Sequence, residues 1–243
     1  MEQNLRKEPL GKGFFVYVTD HHTFGTDAVL LSHFASARQS DKMVDLGTGC
    51  GIIPLLMLRE GKPKTVTGVD ISDEATVIAT KTVADQNIEN FKIINSNLTD
   101  LKGKVEFGCN TLVTCNPPYK APNAGLKNPD SVLEVARHET KCTLEDIVSV
   151  GSRLLQTGGR LCMCHRPERL AELMALMSKY KVEPKRLRLV AQREGKEPWL
   201  VLLEGKRSAN TGLRIEPTLY IEKDGELSKE MIEIYGAYKE AYL

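Results

Sequence analysis

The octapeptide Val44-Asp45-Leu46-Gly47-Thr48-Gly49-Cys50-Gly51 constrains this chain more than any other segment. It reads as a buried strand that enters a glycine-rich turn and then an apolar helix, the opening of a βαβ unit. Glycines at such a turn let the backbone approach a ligand where a Cβ would clash. Alone, the segment is also compatible with nothing more than a tight strand-to-helix turn, the lesser reading. The residues that follow supply the rest of the pattern. Strand-like runs occur at Met43–Leu46, Thr65–Ile71, Phe91–Asn97, Thr111–Asn116 and Arg160–Cys164. Helical patterns occupy Cys50–Arg59, Asp73–Gln86, Thr143–Leu155 and Pro167–Tyr180. Regular alternation of this kind predicts an α/β fold with a mostly parallel sheet and helices on both faces.

Beyond Tyr180 the alternation changes. Lys185–Ala191 and Trp199–Leu203 are separated only by QREGKEP, which suits an antiparallel pair closing the sheet rather than another crossover. Upstream of the alternation, GFFVYVTD reads as a strand and FGTDAVLLSHFA as an amphipathic helix. Downstream, LRIEPTLYIEKDG reads as a small hairpin turning at Lys-Asp-Gly, followed by a helix near Ser228–Tyr238. No internal repeat or low-complexity tract interrupts the 243 residues, so one domain over 1–243 is expected. Its parts are an N-terminal cover (1–40), a Rossmann-like core (41–207) and a C-terminal hairpin and helix (208–243).

Composition excludes several functions. A net charge of +1 means that any nucleic-acid surface must be a local patch. Aromatics make up only 6%, which disfavours a stacking platform for single strands. Absence of an apolar segment near the start and of any ~18-residue apolar run predicts a cytoplasmic protein with no membrane association. Six cysteines without CxxC spacing suggest free thiols in a reducing compartment, and Cys162, Cys164 and His165 on one strand lack a second ligand cluster. No metal and no obligate protein partner are expected.

The glycine turn has the form GxGxG, not the GxGxxG of nicotinamide-binding folds. An acid at the strand end, Asp45, would repel a pyrophosphate and could receive a cationic amino group. An amino-acid-bearing nucleoside satisfies both conditions, and S-adenosylmethionine is such a ligand. Asp70, 25 positions on, could accept from both ribose hydroxyls, or could simply cap the next helix. Asn97-Leu98 falls where an adenine ring would rest. The fourth strand ends in Asn116-Pro117-Pro118-Tyr119, at the carboxyl edge of the sheet. An exocyclic amine or amide nitrogen is a poor nucleophile because its lone pair is delocalised. Acceptance of its two hydrogens by the Asn116 side-chain oxygen and the Pro117 carbonyl would turn the nitrogen towards sp³. Two prolines stiffen that geometry and Tyr119 can stack on a planar substrate.

DLGTGCG, Asp70 and NPPY together resemble class I S-adenosylmethionine-dependent methyltransferases of the amino-methylating branch. FGTDAVLL (24–31), DLGTGCGIIPLLM (45–57), NPPY and ARHE (136–139) narrow the resemblance to the bacterial tRNA1(Val) adenine-N6 methyltransferase family, over roughly residues 10–240. The resemblance implies a seven-stranded sheet whose last, inserted strand is antiparallel. It also implies transfer to N6 of the adenine just 3′ of the anticodon of a valine tRNA. Asp45, Gly47 and Gly49 would hold the methionine end, with Thr48 and Gly51 completing the turn. Asp70 with Ile71 would hold the ribose, and Asn97 with Leu98 the adenine. Thr26 and Asp27 would close over the cofactor, while Asn116 to Tyr119 would meet both cofactor and target base. Related enzymes usually carry an acid where this chain has Asn97.

Basic residues cluster between Lys179 and Arg193, and strand alternation places Arg186 and Arg188 on one face. With Lys185, and with Lys120, Lys127 and Arg137 around the catalytic loop, they are candidate RNA contacts. The same charges could instead protect a sheet edge. NPPY alone leaves rRNA guanine N2, DNA adenine N6 and protein glutamine N5 open as alternative targets. A non-catalytic RNA-binding scaffold ranks lower, since binding has no need of the lone-pair geometry. A nicotinamide oxidoreductase ranks lowest.

Overall fold

A computed structural model describes residues 4–118 and 142–236 of the chain. Tyr119, Lys120, Lys127, Arg137 and the ARHE segment lie outside the described residues. Successive strands of the central sheet are β3 (Lys42–Leu46), β4 (Thr65–Asp70), β5 (Phe91–Asn95), β6 (Asn110–Cys115), β7 (Leu155–His165), β8 (Val182–Ala191) and β9 (Pro198–Arg207). Their spatial order is β5-β4-β3-β6-β7-β9-β8. All neighbours are parallel except β9, which lies between β7 and β8 and is antiparallel to both. That is the seven-stranded arrangement expected, with its inserted closing strand.

Alternation along each strand divides the core in two. Met43, Leu112, Cys162 and Cys164 face one apolar cluster, whereas Val44, Leu46, Val113, Leu161 and Met163 face the other. The first cluster is covered by α1 (Thr26–Ala35), α2 (Ile52–Leu58) and α3 (Asp73–Asp85), the second by α4 (Leu144–Leu154) and α5 (Leu170–Lys179). Helix starts follow the local sequence. Ser72 caps α3 by accepting from the Ala75 amide, and Thr143 with Asp146 forms a reciprocal capping box at α4.

Two expectations need correction, and one strand was not anticipated. The N-terminal strand has a partner: β1 (Arg6–Gly11) pairs antiparallel with β2 (Phe14–Val18). Strand β7 begins at Leu155 rather than Arg160. Gly158 and Gly159 form an irregularity within it, where a Cβ on Gly159 would stand 2.9 Å from the Asn110 carbonyl oxygen. LRIEPTLY does not form a hairpin with the following residues. Its two short strands, β10 (Arg214–Ile215) and β11 (Leu219–Tyr220), both add in parallel to the outer edge of β8, extending the sheet to nine strands. The Lys-Asp-Gly turn does make a hairpin, but a smaller one, between β12 (Glu222–Lys223) and β13 (Glu226–Leu227). Asp224 and Gly225 both have positive φ there, as a tight two-residue turn demands. The final helix, α6 (Lys229–Tyr235), is capped by Ser228.

Candidate active site

The glycine turn occupies the space beyond the end of β3. Gly47, Gly49 and Gly51 have φ of 70°, 55° and 86°, values that L side chains rarely adopt, so the GxGxG spacing is a backbone requirement. A Cβ at Gly47 or Gly49 would meet nothing within 4 Å among the described residues. The open side of the turn therefore suits the close approach of a ligand. Gly51 does different work: it caps α2 and packs against the Phe91 ring. Gly68 on the neighbouring strand leaves room for the Thr48 side chain, 2.9 Å from where its Cβ would be.

A cavity of about 400 Å³ opens at the carboxyl ends of β3, β4 and β6. Of the expected residues, Asp27, Gly47, Asp70, Ile71, Asn97, Leu98, Asn116, Pro117 and Pro118 line it together. Thr26, Asp45, Thr48, Gly49 and Gly51 do not line it. Thr26 instead pairs its hydroxyl with that of Tyr235 on α6, at 3.1 Å. His22, Ser72, Cys115, Cys142 and Ile147 also line the cavity and were not singled out from the sequence. His22 lies 3.4 Å from the Ser72 hydroxyl and could have been noticed only as a polar residue just ahead of FGTD.

Asp70 is not the cap of α3. Its Oδ2 accepts from the Gly49 amide at 2.8 Å and its Oδ1 from the Ser72 amide at 2.9 Å. The carboxylate thus ties the glycine turn to the start of α3, with each oxygen still able to accept a second hydrogen bond from a ligand. Asn97 caps the short 3-10 turn Leu98–Asp100, its Oδ1 accepting from the Thr99 amide and hydroxyl. Both acceptor positions of that oxygen are thereby used within the turn.

Asp45 departs most from expectation. It is fully buried, on the Met43 face of β3, and accepts a hydrogen bond from the Thr114 hydroxyl of the adjacent strand. Burial pushes this carboxyl up to about 7, opposed by hydrogen bonding from Thr114 and Thr48 and helped by the charge of Asp70.

Asn116 immediately follows β6, on the same side of the sheet as Thr114. Its Nδ2 donates to Asp27 Oδ2 at 3.0 Å, and its Oδ1 accepts from the Cys164 thiol at 3.0 Å. Pro117 and Pro118 form the wall between the first cavity and a second, of about 360 Å³. The second is lined by Thr143, Glu145, His165, Arg169 and Glu172 as well as apolar residues of α4 and α5. His165 accepts from the Arg166 amide through Nδ1, which leaves the ring proton on Nε2, and burial pushes its pKa down to about 4.

The sequence model of the "Methyltransferase small domain" family matches residues 14–182. The chain belongs to that family. It is a methyltransferase. A tRNA1(Val) (adenine(37)-N6)-methyltransferase of Porphyromonas gingivalis is 30% identical over 203 residues, 79% of this chain and 77% of the relative. One of the same name from Parabacteroides distasonis is 26% identical, covering 85% and 89% of the two chains. Among solved structures, a predicted O-methyltransferase from Agrobacterium tumefaciens superposes with a TM-score of 0.68 at 18% identity, over 87% of this chain and 96% of that one. M. jannaschii TYW2 in complex with AdoMet superposes at 0.58 and 11% identity, over 85% and 87%. These likenesses establish the class I methyltransferase fold.

The expected basic stripe has another use. Arg186 stacks on the Phe34 ring, 4.0 Å from its centroid, and bonds to the Phe34 carbonyl, Glu204 and Glu216. Arg188 makes a two-pronged pair with Glu230 of α6 at 2.6 and 2.8 Å. Lys185 donates to the carbonyls of Asn210 and Thr211. These three side chains bind the C-terminal segment and α1 to β8. Among the described residues, no helix is long and apolar enough to cross a membrane, and no group of three metal-ligating side chains occurs.

Proposed function

We propose that this methyltransferase transfers the methyl group of S-adenosylmethionine to the N6 amine of an adenine in tRNA. The position in view is the one named for its relatives, adenine 37 of tRNA1(Val). One observation carries the reading: Asn116 stands at the mouth of the cofactor-sized cavity with its amide held on both sides, beside Pro117 and Pro118.

The cavity fits the donor. Gly47 leaves the backbone bare on its side, Asp70 offers acceptors for ribose hydroxyls, and Leu98 with Ile71 offers apolar surface for a purine. Asp45 is fully buried and does not line the cavity. When bound, S-adenosylmethionine supplies an electrophilic methyl group on a sulfonium. The chain's own contribution is to prepare the acceptor. Asn116 Oδ1 and the Pro117 carbonyl take the two hydrogens of the target amine, which frees the nitrogen lone pair. These acceptors strengthen their hold as the nitrogen becomes tetrahedral and cationic, so they act on the transition state. The second cavity, on the other side of Pro117 and Pro118, offers room for a planar base against Ile147 and Leu144.

Incubation with radiolabelled S-adenosylmethionine and an unmethylated cell extract, followed by separation of RNA, DNA and protein, tests the reading. Label is expected in tRNA as N6-methyladenosine. Label in protein as methylglutamine would replace this reading with amide methylation. Asn116→Ala is expected to lose about 10²–10³ in kcat while keeping its affinity for S-adenosylmethionine.

A further inference from the structure

An amide side chain presents either oxygen or nitrogen to a partner, and the two differ by a half-turn that costs little unless neighbours forbid it. The reading above needs oxygen. Asn116 is bracketed by two groups that settle the question chemically. On one side is the carboxylate of Asp27, which can only accept, 3.0 Å from Nδ2. On the other is the Cys164 thiol, 3.0 Å from Oδ1. A flipped amide would set its oxygen against the carboxylate and lose that bond, and would leave its NH2 only a weak sulfur acceptor at Cys164. Asp27 is itself fixed, because its Oδ1 accepts from the Ala28 amide at 2.9 Å in the first turn of α1. Residues 27 and 116 are 89 positions apart in sequence and come from different layers of the fold.

We propose that Asp27 is a positioning residue for methyl transfer. It fixes the Asn116 amide so that Oδ1 faces the target amine, and polarises that oxygen by taking a charge-assisted hydrogen bond from Nδ2. Cys164 holds the same orientation from the sheet side and uses one lone pair of Oδ1, leaving the other for the substrate. This assignment differs from a lid over the cofactor, since Asp27 then acts through Asn116 and the donor's affinity is independent of it. It rests on the amine-methylating reading of Asn116.

Asp27→Asn keeps the size of the side chain and removes the charge and the acceptor-only character. It should lower kcat by about ten- to a hundredfold, the range of one hydrogen bond to a charged group, with KM for RNA within about threefold of wild type. Affinity for S-adenosylmethionine, measured by calorimetry, should be unchanged. A tenfold loss of that affinity would make Asp27 a cofactor residue and overturn the proposal. In the Asn116→Ala background, Asp27→Asn should produce no further loss in kcat. An equal loss in both backgrounds would show that Asp27 works by another route. A readout without turnover separates this inference from the substrate reading. In the ligand-free protein, the Asn116 side-chain NH2 resonance, identified by its absence in Asn116→Ala, should move on Asp27→Asn substitution. No movement would refute the pairing whatever the enzyme methylates. Movement with wild-type kcat would leave the pairing in place and overturn its catalytic use. Asp27→Glu, which restores an acceptor-only partner, should recover part of the lost rate.

Discussion

Burial of Asp45 makes a quantitative prediction about stability. The carboxyl is completely enclosed, and its pKa rises from 3.8 to about 7. Between those values the folded protein holds a proton that the unfolded chain has released, so stability falls as pH rises through the interval. The contribution is fully present below pH 4, is lost progressively up to about pH 7, and is flat above. At about 1.4 kcal/mol per pH unit, the whole change is on the order of 4 kcal/mol. Asp45→Asn abolishes the titration while keeping an oxygen for the Thr114 hydroxyl. Urea denaturation of the ligand-free protein at pH 5, 6, 7 and 8 should show wild type losing stability relative to the variant from pH 5 to pH 7, with little further change to pH 8. Near pH 8 Asp45→Asn should be the more stable protein. Parallel pH profiles for the two proteins would refute the argument, because they would mean that Asp45 carries its charge in the fold at no cost.

Two further substitutions test separate parts of the structure. Asp70→Ala removes the acceptor of the Gly49 and Ser72 amides as well as the proposed ribose contact, so S-adenosylmethionine affinity should fall at least about tenfold by calorimetry. Unchanged affinity would leave Asp70 as a brace for the turn alone. Arg188→Glu sets a like charge against Glu230 in place of the two-pronged pair, and should cost about 1–3 kcal/mol in urea denaturation while leaving the salt dependence of RNA binding unchanged. A shallower salt dependence with normal stability would favour the RNA-contact reading.

The core of the fold was legible because its signals are local. GTGCG encodes three positive-φ positions in five residues, and each βα step carries its own period change and cap. NPP ends β6 because proline cannot continue a central strand. What sequence could not reveal was pairing at a distance. Strand β1 carries Pro9 and mostly exposed residues, with Leu10 alone buried, so no apolar alternation marks it. β10 and β11 attach to β8 rather than to each other, and nothing within LRIEPTLY selects that partner. Arg186 and Arg188 look like a free cationic face until Phe34, Glu204 and Glu230 arrive from remote segments. Asp45 was read at the end of its strand, whereas strand alternation turns it into the interior beside Thr114.

The position of the site follows from topology. From β3 the chain winds through α2 to β4 on one side, and from β6 through α4 to β7 on the other. Adjacent parallel strands whose connections diverge leave a crevice at their carboxyl ends. Here the glycine turn leaves β3 and Asn116 leaves β6, so the proposed donor site and acceptor group are neighbours by construction. This βα core does not, however, determine which way the Asn116 amide points. Cys164 on β7 supplies one constraint from within the sheet, and the stronger one, Asp27, comes from a helix that precedes the first core strand. Helix α1 is anchored for that task at both ends. Thr26 binds Tyr235 of α6, and near its last turn the Phe34 and Ala35 carbonyls accept from Arg186 and Arg160. Arg160 is in turn paired with Asp41 and Glu204 in the buried side of the sheet. The N-terminal cover and the C-terminal segment therefore act as one brace, whose output at the site is the orientation of a single amide.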